Sequence, residues 1–176
     1  EIIDLHEKCV LPGLIDDHEH VQTYARGLLK VDLTDARSID EVKDLIRAQV
    51  EKTVPGKLIL GSGFDQTKFV EQRLPTRWEL DEAAPENPVV ITRYCLHINI
   101  ANSLALKKGG IFDKDDLPHD IERGENGKLT GCMQEREAAA LINNITDGAD
   151  LSDEELKDAV VEALHNANSY GITSVH

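Results

Sequence analysis

His18 and His20 stand two residues apart. Side chains at i and i+2 of a β-strand face the same way, so two imidazoles so spaced can converge on one metal ion. With seven histidines in the chain, chance alone would supply about 0.3 His-x-His pairs, so a solvated coincidence is the competing reading. The surroundings add weight to the pair. It closes a short apolar run, Leu14-Ile15, that follows a break at Pro12-Gly13, and parallel barrels place their sites at the C-terminal ends of such strands. Asp16 and Asp17 beside it offer oxygen ligands, or acceptors for an imidazole N–H.

The elements that must position these residues show as alternating periodicities. Ile2–Leu5 and Cys9–Leu11 read as short strands around a turn at His6-Glu7-Lys8. Ser38 and Glu41 form a capping box, and Ile39, Val42, Leu45, Ile46 and Val50 supply the apolar face of the helix it starts. Pro55-Gly56 ends that helix, and Leu58-Ile59-Leu60 follows as a buried strand. Thr76 and Glu79 form a second capping box, and Pro88 introduces the β-branched strand Val89–Thr92. Asn102 is placed to cap Ser103–Lys108, which Gly109-Gly110 terminates. From Ile111 to Gly127 the chain is polar and turn-rich, a surface loop or hairpin, and Gln134–Asn143 returns to helix. The longest helix begins near Leu151, carries Leu156, Val160, Ala163, Leu164 and Ala167 on one side, and stops at Gly171 before the strand Ile172–His176. Strands alternating with helices predict an α/β fold with parallel pairing.

Composition excludes several classes of function. Thirty-three acidic residues against 19 basic ones leave a net charge of −14, which repels nucleic acid and anionic membrane surfaces. No apolar run approaches the roughly 20 residues needed to span a bilayer, and the first residues lack the pattern of a signal peptide. Cys9, Cys95 and Cys132 are odd in number and form no Cys-x-x-Cys, so they read as reduced thiols of a cytoplasmic protein. The sequence specifies no oligomeric state. It has no initiator Met and ends on an uncovered strand, so it reads as the front piece of a longer protein.

Val10-Leu11-Pro12-Gly13-Leu14-Ile15-Asp16-Asp17-His18-Glu19-His20 resembles the stretch with which metal-dependent amidohydrolases enter their first barrel strand. The stretches Leu60–Phe69, Leu74–Asp81, Pro88–Arg93, His97–Leu106, Asn126–Gly131 with Glu135, and Gly171–His176 are similar to the amidohydrolase 3, or YtcJ-like, branch of that superfamily. They fall in the family's order and span essentially the whole chain. Three positions depart from it. Leu96 stands where a glycine is expected before His97, His119–Glu122 replaces a glycine pair, and Cys132-Met133 replaces two aliphatic residues.

The resemblance implies an α/β fold containing the first strands of a (β/α)8 metal-dependent hydrolase barrel, with an inserted α+β subdomain. In these terms residues 1–32 are the end of a β-sandwich and the first barrel strand. Residues 33–147 are the insertion, and 148–176 a helix and the second barrel strand. The implied chemistry is hydrolysis of a small amide-type substrate at a C–N bond, by water activated on one or two divalent metals, usually zinc. His18 and His20 match the first two metal ligands, and His97 and Glu135 are the implied substrate contacts. The remaining ligands and the proton-handling aspartate of the family fall beyond His176, so no catalytic residue is expected within the chain and the chain alone is expected to be inactive. Asn102 reads as a helix cap, Asp65 as a turn former, and Trp78 as core or interface. Against the hydrolase stands a second reading, an acidic stand-alone binding or regulatory domain without catalysis.

Overall fold

The computed structural model describes residues 4, 6–7, 9–112, 114, 117–119, 121–134, 145–146 and 152–176. The chain divides into two compact units, one of Glu1–Leu29 with Leu151–His176 and one of Lys30–Asp150. In chain order the first carries β1 (Leu14–Asp16) and α1 (Val21–Leu28). The second carries β2 (Val31–Asp32), α2 (Ile39–Val50), β3 (Ile59–Phe64), α3 (Arg77–Ala83), β4 (Val89–Arg93), β5 (Ile98–Ala101), α4 (Ser103–Lys108), β6 (Ile121–Arg123) and β7 (Leu129–Gln134). The chain then returns to the first unit with α5 (Asp153–Ser169) and β8 (Ile172–Val175). The fold is mixed α/β.

In the first unit, β1 and β8 pair in parallel, with Leu14 opposite Ile172 and Asp16 opposite Val175. Backbone bonds continue past the strands, from His176 N–H to Asp16 O and from Glu19 N–H to His176 O, both 3.0 Å. Helices α1 and α5 pack through Ala25, Ala159 and Ala163, all at most 2% exposed. Methyl side chains let two helices approach closely, and Val21, Leu28 and Val160 close the sides of the contact. Helix α5 starts from a full capping box. The Ser152 hydroxyl accepts from Glu155 N–H at 3.2 Å, and the Glu155 carboxylate accepts from Ser152 N–H at 3.0 Å. Helix α1 has no such capping signal, since His20 precedes it without a side-chain cap, and only the spacing of Val21, Ala25 and Leu28 marks it.

In the second unit the sheet order is β2-β3-β4-β5-β7-β6. The first three strands are parallel, and β5, β7 and β6 continue antiparallel. Strand β4 explains why its sequence is a continuous apolar run: Val89 and Ile91 enter one core with Leu33, Ile46, Phe64 and Leu80, whereas Val90 enters a second core with Ala101, Leu106, Ile111 and Met133. A strand buried on both faces needs no polar alternation.

The structure changes several expectations. Cys9–Leu11 forms no strand, and Ile2, Ile3 and Leu5 lie outside the described residues. Gln134 ends β7 and does not start a helix, and 135–143 lie outside the described residues. The Thr130-Gly131 step sits inside β7, where every residue from Leu129 to Met133 is buried, so period-2 reading has nothing to detect. Residues Ile121 onward do form the expected hairpin, β6 to β7. Trp78 is 41% exposed and lies beneath the Arg77 guanidinium, 4.6 Å from its ring, and so is not a core residue. Among the described residues, no helix is long and apolar enough to cross a membrane.

Candidate metal centre and the turn bearing His97

The strand that leads to the histidine pair is shorter than the sequence suggests. β1 ends at Asp16, so His18 lies in a bend and His20 is the residue from which α1 departs. Strand alternation is therefore not what aligns the two side chains. The bend is held by Asp16, whose Oδ1 accepts the backbone N–H of His18 at 3.1 Å. The helix start is held by Tyr24 N–H donating to His20 O at 2.9 Å. Asp16 thus shapes the bend through the backbone, a turn-forming role common for aspartate.

The outcome is still a convergent pair: the two ring centroids lie 5.1 Å apart at an interplanar angle of 86°. Two imidazoles ligating one tetrahedral ion through Zn–N bonds of about 2.0–2.1 Å bring their centroids to about 5 Å, so the pair fits half of a metal's donor set. The same separation suits an edge-to-face aromatic contact. Both side chains are exposed, which leaves them open to an ion and to further ligands. Among the described residues, no group of three or more His, Cys, Asp or Glu side chains converges to complete such a set.

His97 is exposed and precedes β5 in the turn after β4. The turn is closed by Leu96 N–H donating to Arg93 O at 2.9 Å. Its tight geometry forces Leu96 to φ 66°, the left-handed region where a side chain costs about 1–2 kcal/mol and glycine is free. This is the position where a glycine was expected from the sequence, and the backbone gives a reason for one. Leu96 is 71% exposed, so little packing offsets the strain. Leu96→Gly should therefore stabilise the protein by about 0.5–1 kcal/mol, after the added freedom of the unfolded chain is subtracted. A urea midpoint that fell in the variant would overturn that account.

The same turn holds a residue cluster that sequence reasoning missed. Arg93 is fixed by Nε donating to Gln66 Oε1 at 2.7 Å, by Asp65 at 3.7 Å and by stacking 4.5 Å over Tyr94. Its Nη1 reaches Cys95 Sγ at 3.2 Å. The backbone N–H of His97, and then the Arg93 guanidinium, hold the Cys95 thiol below its ordinary pKa. Burial instead pushes Cys132 up to about 12. Asp65 is a turn former as expected, accepting from Thr67 N–H at 3.1 Å. Glu135 lies outside the described residues.

Comparison with known proteins places this geometry. The model of the amidohydrolase family matches residues 1–176. The N-substituted formamide deformylase of Arthrobacter pascens is 36% identical over 183 residues, covering 99% of this chain and 33% of that protein. Protein LONG AFTER FAR-RED 3 of Arabidopsis thaliana is 31% identical, covering 98% of this chain and 29% of its own length. The chain thus spans about a third of the curated relatives it matches. A crystal structure of an uncharacterized metal-dependent hydrolase from Pyrococcus horikoshii OT3 superposes with a TM-score of 0.66 at 25% identity, covering 93% of this chain and 30% of that one. With the family's model matched from end to end and the His-x-His stretch beside a parallel strand pair, the chain belongs to the amidohydrolase family.

Proposed function

We propose that this chain is the metal-binding front part of a hydrolase that cleaves amide-type C–N bonds of small molecules, with His18 and His20 as two of its metal ligands. The observation that carries the reading is the convergence of the two rings, 5.1 Å apart, just beyond the C-terminal ends of a parallel strand pair. Neutral imidazoles suit zinc among the common divalent metals. When bound, such an ion lowers the pKa of its water toward 7 and polarises the scissile carbonyl. This chain's part is to present two imidazoles and to hold them: Asp16 fixes the bend before His18, and α1 fixes the backbone of His20. In this reading β1 and β8 are the first two strands of a (β/α)8 barrel, with 1–32 also holding the end of a β-sandwich. Residues 33–147 are then the insertion between them, 148–176 the returning helix and strand, and the protein is cytoplasmic. Their parallel pairing and the separate compactness of the 30–150 unit support this assignment. His97 and Glu135 are the proposed substrate contacts.

The test uses the full-length protein, stripped of metal and reloaded with zinc or manganese, against N-acyl amines, N-acyl amino acids and cyclic amides. His18→Ala and His20→Ala should each lower kcat/KM at least about a hundredfold, since even loss of a residue that only orients a ligand costs 10–100-fold. Metal content per chain should fall in parallel. Undiminished turnover and metal content in the double variant would refute the assignment.

A further inference from the structure

A cavity of about 400 Å³ in the 30–150 unit is lined by Arg77, Phe112, Arg123, Gly127, Lys128 and Leu129. The charge of its described lining runs against the composition of the chain. In a chain of net charge −14, three of the six described lining residues are cations, and a fourth cation, Lys107, sits with its Nζ 5.1 Å from the centre of the Phe112 ring. The Arg77 guanidinium lies 5.3 Å from the same ring. One aromatic ring thus has two cations close to it.

What these cations are bonded to decides whether the charge is available. Arg77, 9% exposed, gives its Nε to Leu129 O at 2.7 Å and its Nη1 to the Ser103 hydroxyl, with Asp81 at 3.6 Å. Among the described residues Arg123 is held by neutral acceptors, Gly127 O at 3.0 Å and Lys114 O at 3.1 Å. Carbonyls orient a guanidinium without cancelling its charge, and three of its five N–H groups remain. Among the described residues, no carboxylate lies within 4.0 Å of Arg123, Lys128 or Lys107. Three positive charges and a largely buried fourth therefore border an apolar wall of Phe112 and Leu129.

We propose that this cavity binds a small organic carboxylate, its anionic head between Arg77, Arg123 and Lys128 and its apolar body against Phe112 and Leu129. A guanidinium fork matches a carboxylate in geometry and forms charge-assisted hydrogen bonds to it. Apolar walls around a few placed polar groups are the usual make-up of a small-molecule site. A cationic pocket in an acidic surface also concentrates field locally, so a small anion is drawn there and repelled elsewhere.

Benzoate is a suitable probe, and this chain carries its own reporter: Trp78 is the sole tryptophan of its 176 residues, and its ring lies 4.6 Å from the Arg77 guanidinium. At constant ionic strength, benzoate should change Trp78 emission saturably, with a midpoint on the order of 1 mM for so small a ligand. Ligand-observed NMR should give the same midpoint. The neutral isostere benzamide should bind at least about tenfold more weakly, because it forfeits the charge-assisted bonds. Arg123→Gln and Lys128→Ala should each raise the midpoint by about fivefold or more. Lys128 is an exposed hairpin residue with no side-chain partner among the described residues, so its loss leaves the fold intact. No saturable response by either readout, equal binding of benzamide, or an unshifted midpoint in Lys128→Ala would each overturn the proposal.

Discussion

Asn102→Ala is expected to destabilise the protein by roughly 3–5 kcal/mol, well beyond the usual loss of a helix cap. Asn102 is fully buried. Its Oδ1 accepts two backbone N–H groups, from Ala105 at 2.9 Å and from Val89 at 3.0 Å. Its Nδ2 donates to Asn87 O at 2.9 Å and to Ala84 O at 3.4 Å. One side chain therefore caps α4, continues the edge of β4, and ties down the loop that follows α3. Alanine strands two buried N–H groups and at least one carbonyl, each worth about 1–3 kcal/mol when left without a partner. The check is urea unfolding followed by circular dichroism. A loss below about 1 kcal/mol would mean that water reaches these groups, and the account of the site as sealed would fail.

Gly131→Ala should be comparably severe, on the order of 3–5 kcal/mol, from steric conflict instead of lost hydrogen bonds. Gly131 lies within β7 at φ 89°, a backbone region that other residues rarely enter. A Cβ built there would stand 2.3 Å from Ala101 O and 2.8 Å from Arg77 Cβ. The first is the backbone of neighbouring β5 and the second belongs to α3, so neither can swing away as a flexible side-chain tip would. Gly127→Ala is the matched control. Gly127 has a similar φ of 73° but open space where the Cβ would go, so it should lose only the backbone term of about 1–2 kcal/mol. Equal losses in the two variants would show that dihedral strain alone sets the cost and that β7 and α3 are not in tight contact.

The sequence by itself determined much of this protein because several of its signals are local. The Thr76–Glu79 capping box and the Asn102 cap depend on bonds spanning three residues, and both form as the sequence predicts. The box expected at Ser38 forms only in half, since its hydroxyl accepts Glu41 N–H while the Glu41 carboxylate accepts from Arg37 N–H. The parallel pairing of β1 with β8 followed from strand–helix alternation, and the family from short stretches in a fixed order. The glycine expected at position 96 was legible as a departure, but its cause was not: only the backbone shows that Leu96 occupies φ 66°.

Tertiary structure decided the rest. Helix α1 and strand β7 escaped notice for different reasons: α1, with Val21, Ala25 and Leu28 on one face, has the helical period but is short and lacks a capping side chain, whereas β7 is buried on both faces and carries no alternation. The closeness of His18 and His20 was anticipated from strand alternation, yet it is produced by a bend and a helix start after β1 has ended. The clusters around Arg93 and Arg77 join groups up to 52 residues apart, as in the bond from the Arg77 side chain to the Leu129 carbonyl. Long-range pairing is set by which strands become neighbours in the sheet, and a linear reading of periodicity holds no term for that choice.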